Sequence, residues 1–369
     1  MNVKYAKVAT NKLFAALPRR RTIQDCPRRA RALDRAPRLV NLCLHGESAG
    51  RENWKDLDNV RRAFVFPGQG SQKVGMGADL ASAFPAARGV FEMVDEALGE
   101  RLSNIMFEGP DEELRLTKNT QPALMAMSMA VVRVIEDEGD QSFADMADAV
   151  AGHSLGEYSA LAAAGAISLV DAARLLRRRG EAMQEAVPVG EGAMAALLGA
   201  EITLAEEIVE AASVLGVCAI ANDNAPGQVV LSGAKPAIDR AVVLAKEKGV
   251  RKAVFLPVSA PFHCPLMGSA ANIMAEALAD VAIAPPTVPV FANVSAEAET
   301  EPERIRKLLV DQVTEMVRWR ECVGAMRAVG VELLVEAGAG SVLKGLTKRI
   351  DKDLQAVTVG STAEILSFL

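Results

Sequence analysis

Five residues, Gly152-His153-Ser154-Leu155-Gly156, restrict what this chain can fold into more than any other part of it. They form a G-x-S-x-G, and their flanks give the pattern a context. Ala149-Val150-Ala151 predicts a short strand ending at Gly152, and residues 157–164 predict a helix. A strand that becomes a helix across so few residues needs small residues at the bend. The flanking glycines permit that turn and lift the serine hydroxyl to the helix N-terminus. There the next backbone N–H and the helix dipole stabilise an oxyanion. The plainer alternative is a Gly/Ser turn that only caps a helix; the strand–helix placement favours a nucleophile.

A serine nucleophile needs a base, and histidine is the usual one near neutral pH. The chain has three, His45, His153 and His263. Adjacent residues on a tight turn point in different directions, which places His153 badly for the Ser154 hydroxyl. His263 follows by elimination. It lies in Val258-Ser259-Ala260-Pro261-Phe262-His263-Cys264-Pro265, a proline-bracketed loop after a predicted strand, where active-site residues tend to sit. A lone structural histidine is the alternative.

Two glycine-rich stretches are weaker signals. Phe66-Pro67-Gly68-Gln69-Gly70-Ser71-Gln72 follows the first predicted strand, but its spacing fits neither a dinucleotide fingerprint nor a P-loop. Its better physical use is a turn whose N–H groups face an anion. Gly338-Ala339-Gly340 is too short to assign. Arg177-Arg178-Arg179 stands just before Gly180, at the expected close of a helix opened by Ser168 with Asp171. Such a run is either a solvated face that complements the helix dipole or, with one arginine turned inward, a fork for a carboxylate.

The remaining pattern is α/β. Strands are expected at 63–66, 149–151, 288–292 and 332–336, with helices near 79–98, 121–137, 265–280, 303–309 and 316–329. Between 188 and 256 the order changes. Strands at 193–198, 217–221, 228–232 and 252–257 alternate with helices near 203–215 and 235–249, a βαββαβ arrangement. This is an α/β core interrupted by a small α+β insertion.

Composition narrows the function classes. Half of the 369 residues are apolar and 24% charged, which excludes disorder of the whole chain. Five scattered cysteines without CxxC spacing argue against a disulfide scaffold or structural zinc and favour a reducing compartment. No apolar run approaches the roughly 18 residues of a membrane span. The net charge of −6 hides a split: residues 1–59 carry 13 Lys+Arg against 6 Asp+Glu, so the rest is −13. The basic, proline-interleaved stretch 1–59 reads as a disordered extension. A transit peptide (opposed by its six acidic residues), a nucleic-acid arm (without a folded module) and a start site placed upstream of a chain beginning near Val60 are the readings weighed; the last is preferred.

Taken together these motifs resemble the malonyl-CoA:acyl carrier protein transacylases, acyltransferases of bacterial fatty acid synthesis. The resemblance runs from about Arg62 to the C-terminus through FVFPGQGSQ (64–72), QPA (121–123), AGHSLGEYSAL (151–161), RRRGEAMQEAVP (177–188), NAPGQVVLSG (224–233), VSAPFHCPLM (258–267) and EAGAGSVLKGLTKRI (336–350). It implies an α/β-hydrolase-like large domain, 60–187 and 257–369, with an inserted ferredoxin-like α+β small domain, 188–256. It further implies Ser154 as nucleophile, His263 as base, and an oxyanion hole from the N–H groups of Gln69 and Leu155. Arg179 would bind the malonyl carboxylate, Gln312 would support the histidine and the site, and Phe262 resembles the malonyl-selective form of its loop. No acidic third member, cofactor or metal is implied.

The expected substrates are malonyl-CoA and acyl carrier protein, handled by a cytoplasmic monomer that engages neither nucleic acid nor membrane. Because residues 60–369 are acidic, carrier docking would need a local basic patch, with Arg251, Lys252, Lys344, Lys348 and Arg349 as candidates. The alternatives are a serine esterase or thioesterase that hydrolyses its acyl-enzyme, and a catalytically silent scaffold.

Overall fold

The computed structural model describes residues 60–258 and 260–369; the stretch 1–59, with His45 and the readings placed on it, lies outside them. In chain order the strands are β1 (Arg62–Phe66), β2 (Ala149–Gly152), β3 (Gly192–Leu198), β4 (Cys218–Ala225), β5 (Gln228–Ala234), β6 (Lys252–Phe255), β7 (Val290–Phe291), β8 (Ala298–Glu299), β9 (Leu333–Ala337) and β10 (Gln355–Val359). They form a six-stranded sheet, β10-β9-β1-β2-β7-β8, and a four-stranded sheet, β4-β5-β3-β6. The first is parallel except for its β8 edge, and the second is antiparallel throughout.

The strands β1, β2 and β9 are apolar except for Arg62 at the start of β1 and the buried Glu336 of β9, because a parallel sheet is covered on both faces. Alternate residues serve opposite faces: Phe64 and Phe66 join one core cluster, Ala63 and Val65 another. The first cluster is closed by helices Thr117–Gly139 and Leu169–Glu185, the second by Trp319–Ala328 and Val342–Ile350. In the four-stranded sheet the chain runs β3, helix Ile202–Ala212, β4, β5, helix Lys235–Glu247, β6, the order expected from sequence. No helix among the described residues is long and apolar enough to cross a membrane.

Several expected elements differ in detail. The helix expected at 79–98 is two, Ala78–Ala83 and Pro85–Leu98, because proline pushes Phe84 out of the helical region (φ −124°, ψ 121°). The helix expected from residue 316 starts at Trp319, since Val317 exchanges backbone hydrogen bonds with Ala221 and Asp223 of β4. The helix opened by Ser168 runs to Glu185, matching the amphipathic pattern towards Gln184, so Arg179 lies within it rather than at its close. Gly180 serves close packing instead: a Cβ there would lie 2.6 Å from Lys118 Cα. Beyond Glu336 the sequence pattern predicts no helix or strand, whereas the chain adds helix Val342–Ile350, strand β10 and helix Thr362–Phe368.

Candidate active site

The turn between β2 and helix Gly156–Ala163 leaves no room for side chains at its ends. A Cβ on Gly152 would fall 1.9 Å from the Gly156 carbonyl carbon, and one on Gly156 would fall 2.3 Å from Phe66 O. Ser154, at the apex, has φ +54°, a left-handed conformation that costs a non-glycine residue free energy unless its surroundings impose it. Asn293, just past β7, imposes it. Its Oδ1 accepts from the Ser154 N–H at 2.7 Å, and its Nδ2 donates to Gly152 O at 2.7 Å.

His263 also has positive φ (+56°) and is 4% exposed, and its Nε2 lies 2.8 Å from Ser154 Oγ. Its other nitrogen, Nδ1, is 2.7 Å from the Gln312 backbone carbonyl. A carbonyl only accepts, so Nδ1 carries the proton and the Nε2 lone pair faces the serine hydroxyl. Burial, with Arg179 nearby as a second cause, pushes the His263 pKa down to about 3, which leaves the ring neutral, with its Nε2 lone pair free, near neutral pH. His153 turns away, its Nε2 2.8 Å from Asn224 Oδ1 and its ring 5.6 Å from that of Trp319.

Arg179 is the inward member of its run, 1% exposed, while Arg177 pairs with Glu100 and Asn119. Its Nη1 donates to Gln121 Oε1 at 2.8 Å and its Nη2 to Gln312 Oε1 at 2.9 Å; Nη2 is also 3.3 Å from Ser154 Oγ. Both firm partners are neutral amides, and its Nε has no partner. Burial lowers the Arg179 pKa, opposed by Tyr158 and Glu157. A guanidinium buried without a bonded carboxylate costs several kcal/mol, which an anionic ligand would recover.

Gln312, capping helix Pro302–Asp311, is fully buried and bonds to the serine, the histidine and the arginine of the site. Its carbonyl holds His263 and its Oε1 holds Arg179. Its Nε2 donates to Ser154 O at 3.1 Å and Glu157 Oε2 at 2.8 Å. Burial pushes Glu157 up to about 7, with hydrogen bonds from Asn293 and Gln312 pulling the other way.

Gln69, Ser154, Leu155, Arg179, Phe262 and His263 all line one cleft of roughly 530 Å³. Within the described residues neither the Gln69 nor the Leu155 N–H is engaged by another backbone or side-chain acceptor. The loop bearing Gln69 packs directly on the turn, since a Cβ on Gly68 would sit 2.7 Å from His153 O. Gly338 packs against Pro67 and Ser128, behind that loop. All seven residues expected from sequence therefore converge. Asn293 and Glu157 were not assigned: Asn293 carries no local signal, and Glu157 was visible only as a letter of the serine motif. Among the described residues no group of three His, Cys, Asp or Glu is arranged to hold a metal ion.

Comparison with known proteins shows which family the chain resembles as a whole. A family model described as an acyl transferase domain matches residues 63–367. A Haemophilus influenzae protein named malonyl CoA-acyl carrier protein transacylase is 47% identical over 301 residues, 82% of this chain and 96% of that protein. The crystal structure of an acyl-carrier-protein-S-malonyltransferase from Bartonella henselae superposes with a TM-score of 0.82 at 56% identity, covering 84% of this chain and 98% of that one. A type II PKS acyl-carrier protein in complex with its malonyl-transacylase aligns with a TM-score of 0.81 at 43% identity, over 84% and 99% of the two chains.

Proposed function

The chain belongs to the acyl transferase domain family, and from that premise we propose that it moves a malonyl group from malonyl-CoA to the phosphopantetheine thiol of an acyl carrier protein. The observation that carries the specificity is Arg179, buried with neutral partners and 3.3 Å from Ser154 Oγ. A malonyl thioester poised over the serine would place its free carboxylate against that guanidinium.

Neutral His263 takes the proton as Ser154 Oγ attacks the thioester carbonyl, and the Gln69 and Leu155 N–H groups receive the oxyanion. Collapse breaks the C–S bond; the departing CoA sulfur takes the proton from His263 and malonyl-serine remains. The carrier thiol then gives its proton to His263 and attacks the ester, and expulsion of the serine oxygen, reprotonated by His263, regenerates the enzyme. The Gln312 carbonyl suffices to orient the base, so no acidic third member enters. Phe262, 7% exposed beside His263, bounds the acyl end of the cleft.

The antiparallel sheet with its βαββαβ order supports reading 188–256 as a ferredoxin-like small domain inserted in an α/β-hydrolase-like large domain, 60–187 and 257–369. The same proposal includes a monomer in the cytoplasm, the free, buried thiols of Cys218, Cys264 and Cys322 supporting a reducing compartment. Arg251, Lys252, Lys348 and Arg349 are exposed and Lys344 half-buried, which leaves all five available to an acidic carrier.

The test is direct. The protein is incubated with malonyl-CoA labelled in the malonyl group, and Ser154 is examined by peptide mass spectrometry. A malonyl-serine that survives in water and discharges to holo-carrier protein is expected; rapid discharge to water alone would make the protein a thioesterase. No label at all, with folded protein, would leave only a silent scaffold.

A further inference from the structure

Glu157 takes no part in the steps above, yet it is a carboxylate 2% exposed, three residues beyond the nucleophile. Its Oε2 accepts from the Asn293 backbone N–H at 2.9 Å and from Gln312 Nε2 at 2.8 Å. Asn293 does not need that contact to be oriented, because the Ser154 N–H and the Gly152 carbonyl already fix both ends of its amide. Gln312 is different. Its amide lies between Arg179, which can only donate, and Glu157, which in its ionised form can only accept. Only one of its two orientations satisfies both neighbours, with Oε1 on the guanidinium and Nε2 on the carboxylate. Glu157 is the nearer of two acceptors at that end; without it only the Ser154 carbonyl, at 3.1 Å, opposes a flipped amide, which would turn an NH₂ towards Arg179.

We propose that Glu157 is a positioning residue that sets the preference for carboxylate-bearing acyl groups by locking the Gln312 amide with its oxygen on Arg179. The inference rests on the malonyl-transfer reading above. It assigns Glu157 an effect on which acyl group is accepted, whereas a merely structural buried carboxylate would affect all acyl groups alike.

The test is a mutant cycle of the full chain with Glu157→Ala, Gln312→Ala and the double variant, plus Glu157→Gln, each checked for folding by thermal melting. Loading of Ser154 from malonyl-CoA and from acetyl-CoA is measured at pH 8.5, above the value of about 7 to which burial raises Glu157. Glu157→Ala is expected to lower the malonyl-to-acetyl ratio of kcat/KM about tenfold or more, through the malonyl-CoA KM, with acetyl loading within about threefold. Glu157→Gln, which keeps an acceptor but can also present a donor, falls between, at about threefold. In the Gln312→Ala background, Glu157→Ala has no further effect on the ratio. An unchanged ratio in Glu157→Ala, equal losses with both substrates, or a full additional loss in the double variant would each overturn the proposal. If Glu157→Ala does not fold, Glu157→Gln replaces it in the cycle, and an unchanged ratio there overturns it as well. Failure of the unsubstituted protein to form malonyl-serine would instead overturn the reading on which the inference rests.

Discussion

Loops and helices that follow β1 and β2 bring Gln69, Ser154, Leu155 and Arg179 to the cleft, whereas the four-stranded sheet brings Met194 and, just past β6, Leu256 and Val258. The first wall is therefore mostly polar, with Met183 as an apolar member, and the second mostly apolar, with Asn222 of β4 as its polar member. The difference follows from sheet type. Parallel strands end at one edge, where the helices that follow begin and backbone N–H groups face outward. An antiparallel sheet has no such common edge and contributes side-chain surface. What the comparison teaches is a division of labour: the first wall should set reaction rates and acyl charge, the second only fit and rigidity. His263, on the connection leaving β6, is the one reacting group that crosses from the second region to the first.

The largest expected effect tests that crossing. His263→Ala should slow acyl loading of Ser154 by about 10²–10⁴-fold, read in single-turnover experiments with malonyl-CoA. His153→Ala, which removes a half-buried histidine of the same cleft, should cost less than about tenfold, since its ring nitrogen serves Asn224. Equal losses would collapse the distinction between a base and a brace. Next in size is Arg179→Ala. Preference for malonyl- over acetyl-CoA should fall about 10²-fold while acetyl loading persists, because the loss is of one charge-assisted contact to the carboxylate. A parallel fall with both acyl groups would show Arg179 to be structural and would blur the polar wall into mere scaffolding.

How much of this was legible beforehand divides along the same line. The serine turn could be read because steric necessity writes glycine on both sides of it: at 152 and 156 a single Cβ would collide with backbone. His263 could be read because histidine is scarce here. Arg179 could be placed only as one of three arginines, since burial of one face of a helix is a tertiary outcome; the residue that decides it, Gln312, lies far along the chain. Asn293 was invisible for a related reason. Its amide satisfies a turn 139 residues earlier, and no local pattern of charge or apolar period marks such a role. The C-terminal strand β10 went unread because it is half-buried at a sheet edge, where apolar alternation weakens.

The smallest expected effect probes the apolar wall from behind. In the second half of β4 the register slips twice, and Asn222 and Asp223, still paired with Val230 and Val229, bond outside their sheet as well, as does Asn224. Asn222 bridges to Val317, buried Asp223 pairs with Arg320 Nη2 at 2.7 Å, and Asn224 reaches His153. If this seam only joins the two sheets, Asn224→Ala should remove one hydrogen bond and leave His153 Nε2 unpaired, costing about 1–3 kcal/mol. For a chain of this size that lowers the melting temperature by a few degrees, roughly 2–4 °C per kcal/mol. Acyl loading should stay within about threefold, because neither Ser154 Oγ nor His263 touches Asn224. A loading rate that falls as far as in His263→Ala, with melting unchanged, would mean that the antiparallel sheet takes part in the chemistry through His153, and the division between the two walls would fail.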